Sequence, residues 1–242
     1  MAWESVKMCY HANMGHFTGR VNEIRLEAGG NREALIACPQ EAIPQAGQYL
    51  HASDPDDPGE VLGVPLFLAE KSARGFWSAP TIPNLWRPGM NLELSGPLGH
   101  GFELPREVHR LGLVALGETV SRLIPLIGQI GQSRAGVTLF TDLPLPRMPT
   151  LLEAYPLASL VEALDWPDFL AVDLPLQELA ELRNMLGLLE GIRLTCPAQV
   201  LVTTSMPCAG LAQCGVCAVP ARRGWKLACE DGPVFDLHQL KW

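Results

Sequence analysis

Four of the seven cysteines of this 242-residue chain fall within one 22-residue stretch, in the run Cys208-x5-Cys214-x2-Cys217-x11-Cys229. Unpaired thiols are oxidation liabilities, so a set this dense needs a common role, and metal ligation supplies one. The knuckle Cys214-Gly-Val-Cys217 can bring two thiolates to one centre, because Gly215 has no side chain to obstruct the approach and tolerates a tight turn. Zinc sites usually pair two such knuckles; this run has one knuckle, one cysteine upstream and one remote. That asymmetry favours a 2Fe-2S loop, in which a closely spaced set wraps the cluster and the last ligand arrives from a separate strand. Zinc and disulfides are the alternatives, and disulfides suit a secreted chain. The N-terminus, Met-Ala-Trp-Glu, has no basic stretch followed by an apolar one.

The segment from Pro207 through Cys208, Cys214 and Cys217 to Val219, followed by Gly224-Trp-Lys-Leu-Ala-Cys-Glu-Asp-Gly-Pro-Val-Phe-Asp236, resembles the C-terminal 2Fe-2S domain of the dihydroorotate dehydrogenase electron-transfer subunit. Related ferredoxin-reductase-like subunits of sulfhydrogenases and NADH-ferredoxin oxidoreductases carry the same module. The more specific half is Cys229-x-Asp-Gly-Pro-Val-Phe235. The resemblance implies that Cys208, Cys214, Cys217 and Cys229 hold the irons. The family usually places four residues between the first two cysteines and this chain has five, so Cys208 requires a loop adjustment.

Between His16 and Leu104 short apolar stretches are broken by turn formers such as Gly29-Gly30 and Pro88-Gly89. Strands are predicted at Gly19 to Leu26, Ala34 to Cys38, Gln48 to Ala52, Val64 to Glu70, Gly75 to Ser78 and Asn91 to Ser95. Many short strands without helices make a barrel or sandwich. The stretches Gly96-Pro-Leu-Gly-His-Gly-Phe102 and Ala46-Gly-Gln-Tyr-Leu50 are similar to parts of the family's flavin-binding barrel. The family's flavin grip, an Arg and a Ser on the next strand, has no counterpart in Gly63-Val-Pro-Leu-Phe-Leu68. Its phosphate-cradling Gly-Thr turn is replaced by Trp77-Ser-Ala-Pro-Thr-Ile82, where proline removes an N–H. Lys71 and Arg74 are the nearby cations that remain. FAD is therefore implied by the resemblance without the residues that usually bind it.

From Arg106 strand and helix alternate. Strands are predicted at Leu111 to Leu116, Val137 to Thr141, Phe169 to Val172 and Gln199 to Thr203, with helices through Val120 to Ile130 and Leu176 to Leu186. Such alternation makes a mostly parallel sheet covered by helices. In the family this is the NAD(P)-binding domain. Its Gly-rich turn is reduced here to Gly117, and Glu118 sets a carboxylate where pyrophosphate would enter. Asp173, just before Pro175 and a helical pattern, reads as a helix N-cap.

The expected organisation is thus a flavin-reductase-like β barrel at 1–104, a degenerate NAD-binding-like α/β domain at 105–204 and a 2Fe-2S domain at 205–242. A net charge of −8 with no Lys/Arg cluster argues against nucleic acid, and the greasiest stretch, Leu111 to Ile130, is broken by Glu118 and Arg122. A cytoplasmic protein without membrane insertion is expected. Cys9, Cys38 and Cys196, among apolar neighbours, read as buried reduced thiols. The six histidines make no metal-binding pair and read as surface or loop residues. Glu153, Glu162, Asp165 and Asp168 read as solvated, and backbone groups of Gly210, Gly215 and Val216 as donors to the cluster.

With no nucleophile elbow or Walker loop, the function expected is a 2Fe-2S electron-transfer subunit of a hetero-oligomeric oxidoreductase. Its partner would be a catalytic subunit, possibly flavin-containing in the manner of dihydroorotate dehydrogenase. The alternatives are a complete FAD- and NAD(H)-dependent reductase subunit and a zinc-stapled scaffold.

Overall fold

The computed structural model describes residues 15–56, 62–130, 135–145, 152–186 and 194–241; Cys9 and His11 lie outside them. Six antiparallel strands open the chain: β1 (His16–Leu26), β2 (Arg32–Ala37), β3 (Tyr49–Ser53), β4 (Val64–Ser72), β5 (Gly75–Ser78) and β6 (Asn91–Leu98). They close into a barrel in the order β1-β2-β5-β4-β3-β6, which resolves the choice between barrel and sandwich. Alternation along each strand sends Val21, Ile36, Leu50, Leu66, Phe76 and Leu94 inward. At Gly75, φ is +146° and an added Cβ would lie 1.9 Å from the Ile36 carbonyl, so only glycine lets β5 pair this closely with β2.

The second unit is a sheet of β7 (Arg110–Ala115), β8 (Gly136–Thr141), β9 (Leu152–Tyr155), β10 (Phe169–Pro175), β11 (Ala198–Thr203) and β14 (Val234–Asp236). Its order is β14-β11-β10-β7-β8-β9. The first five strands are parallel, whereas β14 runs antiparallel to β11. The short helices α1 (Ile124–Ile130) and α2 (Leu179–Met185) accompany the sheet. The apolar spacing predicted a longer α1, but Thr119 and Ser121 spend their hydroxyls on carboxylates of the barrel, and the helix starts only after that turn. The α2 pattern opens as a 3-10 turn, Leu176–Glu178. Strands β9 and β14 were not anticipated, since four mostly exposed residues and the three-residue Val-Phe-Asp give no clear period.

Asp173 is not a cap. It lies inside β10, wholly buried, with Arg122 Nε 2.9 Å from its Oδ2. Asp168 is not simply solvated either, because its carboxylate accepts the backbone N–H groups of His109 and Arg110.

The barrel keeps its own interior core, but a second core runs without interruption from the α/β sheet to the outer barrel face and the cysteine tail. Tyr49 and Phe67 face each other across β3 and β4 and belong to that second core, together with Cys217, Cys229, Val234 and Phe235. Because β14 completes the α/β sheet, the tail is tied to both preceding units. None of the described helices is long and apolar enough to cross a membrane.

Candidate metal centre

Beyond β11 the chain turns through residues 204–217 and then forms a hairpin of β12 (Ala218–Pro220) and β13 (Trp225–Leu227). Pairing of Ala218 with Leu227 puts Cys217 and Cys229 at the same end of that hairpin. The Ala228 N–H donates to the Cys217 carbonyl at 3.0 Å, and the Cys229 N–H approaches Cys217 Sγ at 3.5 Å. Asp231 fixes the turn that carries Cys229 by accepting the Leu227 N–H at 2.7 Å. Upstream, Ala209, Gly210, Ala212 and Gly215 all have positive φ. Two alanines in the left-handed region are costly for L-residues, and they take up the extra residue between Cys208 and Cys214.

Cys208 lies near enough to Cys214 and Cys229, and Cys229 to Cys217, for each thiol to bias its neighbour's ionisation. Burial opposes ionisation of Cys208, but bonds from Cys214, from the backbone of Ala212 and Gln213, and from Cys229 outweigh it and bring its pKa below the ordinary thiol value. Cys229 is pushed up, first by burial, then by its bond to Cys217 and the charges of Cys217 and Cys208. The left-handed Ala212 thus serves two sulfurs, Cys208 and Cys229. Ala212 and Gln213 thus join the amides expected around Gly210, Gly215 and Val216 as donors to the sulfurs. Among the described residues no three His, Cys, Asp or Glu side chains are grouped closely enough to hold a metal ion as they stand. Cys217 and Cys229 are buried, Cys208 is half-buried and Cys214 is exposed. The donor set of four thiols, supplied with N–H groups, fits an iron-sulfur cluster.

The barrel forms the seat. Tyr49, fully buried, donates its hydroxyl to the Cys229 carbonyl at 3.4 Å. Burial and the neighbouring Cys229, Cys208 and Cys217 push its pKa up, so it stays a neutral donor. His51, two residues on, is also lined up against the tail: burial lowers its pKa against the pull of the Pro207 and Gly63 carbonyls. Its Nε2 is buried without a partner, contrary to the expectation of a surface histidine. The glycines of the Gly96–Phe102 stretch act by close approach. Gly99 has φ +73°, and an added Cβ would stand 2.6 Å from the Gly232 carbonyl. The His100 N–H donates to that same carbonyl.

Where the resemblance places the two nucleotide sites, protein side chains contact one another. On β4, where the resemblance places a flavin grip, Phe67 is buried against the Tyr49 ring at 5.9 Å and beneath the Arg122 guanidinium at 5.8 Å. In the following stretch Pro80 accepts from Arg122 Nη1 at 3.1 Å and Thr81 donates to Glu118 at 3.1 Å. Ligands of doubly wound sheets bind beyond the carboxyl ends of the strands, where the strand order reverses; here that is between β7 and β10. The Arg122–Asp173 pair fills this point. Beside it Glu27 and Glu33 accept from Thr119 and Ser121, and Glu33 pairs with Arg25 at 2.7 Å. Lys71 lines a separate cleft of about 690 Å³ between β4 and α1, while Arg74 is exposed in the β4–β5 turn. Cys196 is buried as expected, but Cys38 is only half-buried.

Residues 204–241 match the family model described as the iron-sulfur cluster binding domain of dihydroorotate dehydrogenase B. No curated protein matches the chain in sequence. Among solved structures, a chain from the NADH-dependent reduced ferredoxin-NADP oxidoreductase, studied for flavin-based electron bifurcation, is 18% identical with a TM-score of 0.72, covering 93% of this chain and 90% of that one. Phthalate dioxygenase reductase, described as a modular structure for electron transfer from pyridine nucleotides to [2Fe-2S], is 12% identical with a TM-score of 0.55, covering 82% and 71%. The ferredoxin reductase of carbazole 1,9a-dioxygenase is 18% identical with a TM-score of 0.56, covering 72% and 66%. The chain thus has the ferredoxin-reductase-like fold, and its last segment, residues 204–241, matches an iron-sulfur cluster binding domain of the dihydroorotate dehydrogenase B type.

Proposed function

We propose that this chain is the 2Fe-2S electron-transfer subunit of a cytoplasmic oxidoreductase, bound to a catalytic partner subunit in a hetero-oligomer. The observation that carries the reading is the convergence of Cys208, Cys214, Cys217 and Cys229 inside the matched segment. One Cys-x2-Cys knuckle with one upstream and one remote cysteine suits a binuclear cluster, in which each iron takes two cysteines, better than a zinc site built from two knuckles. When bound, such a cluster supplies one-electron chemistry. The chain's own residues then have three tasks. Cys217 and Cys229 hold the buried side, Cys208 and Cys214 close the outer side, and the amides of Ala212 and Gln213 stabilise the thiolates. Tyr49 and Gly99 lock the domain to the barrel.

The reading gives no role to NAD(P) and none to FAD at its usual place. Glu118, Glu27 and Glu33 would confront a dinucleotide's phosphates with carboxylates, and Phe67 and Arg122 occupy the space beside them. The barrel and the α/β domain serve as a mount. Iron and acid-labile sulfide analysis of anaerobically purified protein tests the reading, with about two of each per chain expected. Stoichiometric FAD in the same preparation would displace it in favour of a complete reductase, and zinc in place of iron in favour of a scaffold.

A further inference from the structure

The surface around the cysteine tail differs in charge and polarity from the rest of the molecule. Residues 204–241 hold four Lys/Arg against three Asp/Glu, leaving fourteen against twenty-three for the remainder. Contrary to the expectation of no Lys/Arg cluster, the β12–β13 hairpin carries Arg222, Arg223 and Lys226 within five residues, the two arginines exposed and the lysine half-exposed. Among the described residues none of the three is in an ion pair. Two of the nearby carboxylates are already engaged, Asp231 by the Leu227 N–H and Asp236 by the His238 N–H.

The tail also exposes large apolar side chains that the fold does not use, one of them, Trp225, between these cations. Trp225 is 71% exposed, Val216 55% and Leu211 40%. Val216 follows the exposed Cys214 by two residues and leads into the end of the hairpin at Ala218, while Trp225 stands at its other end, paired with Pro220. The hairpin is also held in place. Ala221 N–H donates to the Gly224 carbonyl, Arg222 N–H to Gln239 and Lys241 N–H to Pro220, all at 2.9 to 3.0 Å. A preformed aromatic anchor with surrounding charge needs little ordering on association, which is the condition for a hot spot.

We propose that the face made by the β12–β13 hairpin and the Cys214–Val216 edge docks the electron partner, and that the partner's matching face is acidic around an apolar centre. This rests on the electron-transfer reading above and adds the partner's surface chemistry. The charge separation steers an acidic protein to this end of a molecule that elsewhere repels it. An apolar contact at Trp225 and Val216 then excludes water between the exposed thiol edge and the partner's redox centre. An anionic membrane or a nucleic acid would use the cations but leave the redox edge without a purpose.

The test uses the full chain with its cluster, and an acidic flavodoxin as probe. Stopped-flow mixing with the flavodoxin hydroquinone gives the rate of cluster reduction, and titration with oxidised flavodoxin gives Kd. For the unaltered chain the second-order rate constant is expected to fall as ionic strength rises. The triple reversal R222E/R223E/K226E should slow it at least about tenfold at low ionic strength and abolish the salt dependence. A charge-matched control on the barrel, R20E/R74E/R87E, should change it by no more than about twofold. Trp225→Ala should raise Kd about tenfold while leaving the salt slope intact. Equal effects of the two triple variants, or a wild-type rate insensitive to salt, would overturn the proposal. Co-sedimentation with phosphatidylserine vesicles that is lost in R222E/R223E/K226E, without an effect on flavodoxin, would replace it with a membrane surface. A preparation lacking visible cluster absorption before mixing counts instead against the underlying reading.

Discussion

Replacing Arg122 by Met tests whether the nucleotide crevice has become part of the core. Arg122 is 5% exposed and Asp173 fully buried, 2.9 Å apart, and the second Asp173 oxygen is buried without a partner. The variant leaves that carboxylate with no counter-charge and frees the Pro80 carbonyl. Breaking a buried pair from one side costs about 3–5 kcal/mol. At about 2–4 °C per kcal/mol for a chain of this size, the melting temperature should drop by roughly 6–20 °C. Burial holds the Asp173 pKa above the ordinary carboxylate value, with Arg122 pulling against that rise. A carboxyl with a raised native pKa stabilises the fold below the unfolded pKa, about 3.9. That contribution is lost as pH climbs through the native value. The R122M penalty should therefore shrink in acid. The double variant R122M/D173L removes both charges and should return to wild-type stability or exceed it. Urea denaturation at several pH values measures all of this. An R122M midpoint within about 1 kcal/mol of wild type, or a double variant less stable than the single one, would refute the account of this crevice.

The seat of the cluster domain gives further outcomes. Tyr49→Phe removes the hydroxyl bond to the Cys229 carbonyl and should lower stability by about 0.5–1.5 kcal/mol in denaturant titrations while the cluster still assembles. Gly99→Ala, at φ +73° and against the Gly232 carbonyl, should cost about 1–3 kcal/mol and speed bleaching of the cluster absorption in air. Ala212→Gly keeps the amide donors but relieves a left-handed alanine, so stability should rise by about 1 kcal/mol with the reduction potential unmoved in a redox titration. In cluster-free protein, iodoacetamide mapped by mass spectrometry should label exposed Cys214 and low-pKa Cys208 first. Cys38, whose burial and neighbouring Glu41 push its pKa up to about 11, holds only about one part in a thousand thiolate at pH 8 and should react last of the three.

The barrel strands and the parallel sheet were legible in the chain because alternation and turn formers are local signals. The Gly75–Ser78 strand appears where those signals put it. The contacts that stand at the expected nucleotide sites were not legible. Asp173 looks like a cap from its sequence neighbours, and only the parallel register of β10 with β7, together with the turn that brings Arg122 back, turns it into half of a buried pair. Tyr49 and His51 gave no sign of facing the cysteines 157 or more residues later, because that contact comes from docking of the tail, anchored through β14. Ala212 was passed over in favour of glycines, although its own left-handed φ directs the amide to two sulfurs.

The central claim is that the four thiols hold a binuclear iron-sulfur cluster. Iron and sulfide determination, paired with EPR of the dithionite-reduced protein after anaerobic reconstitution, measures it most directly. The account predicts about two irons and two sulfides per chain, a signal that appears on reduction, and loss of both in Cys217→Ser. A colourless protein without a signal, or one that takes up a single zinc ion instead, would contradict it.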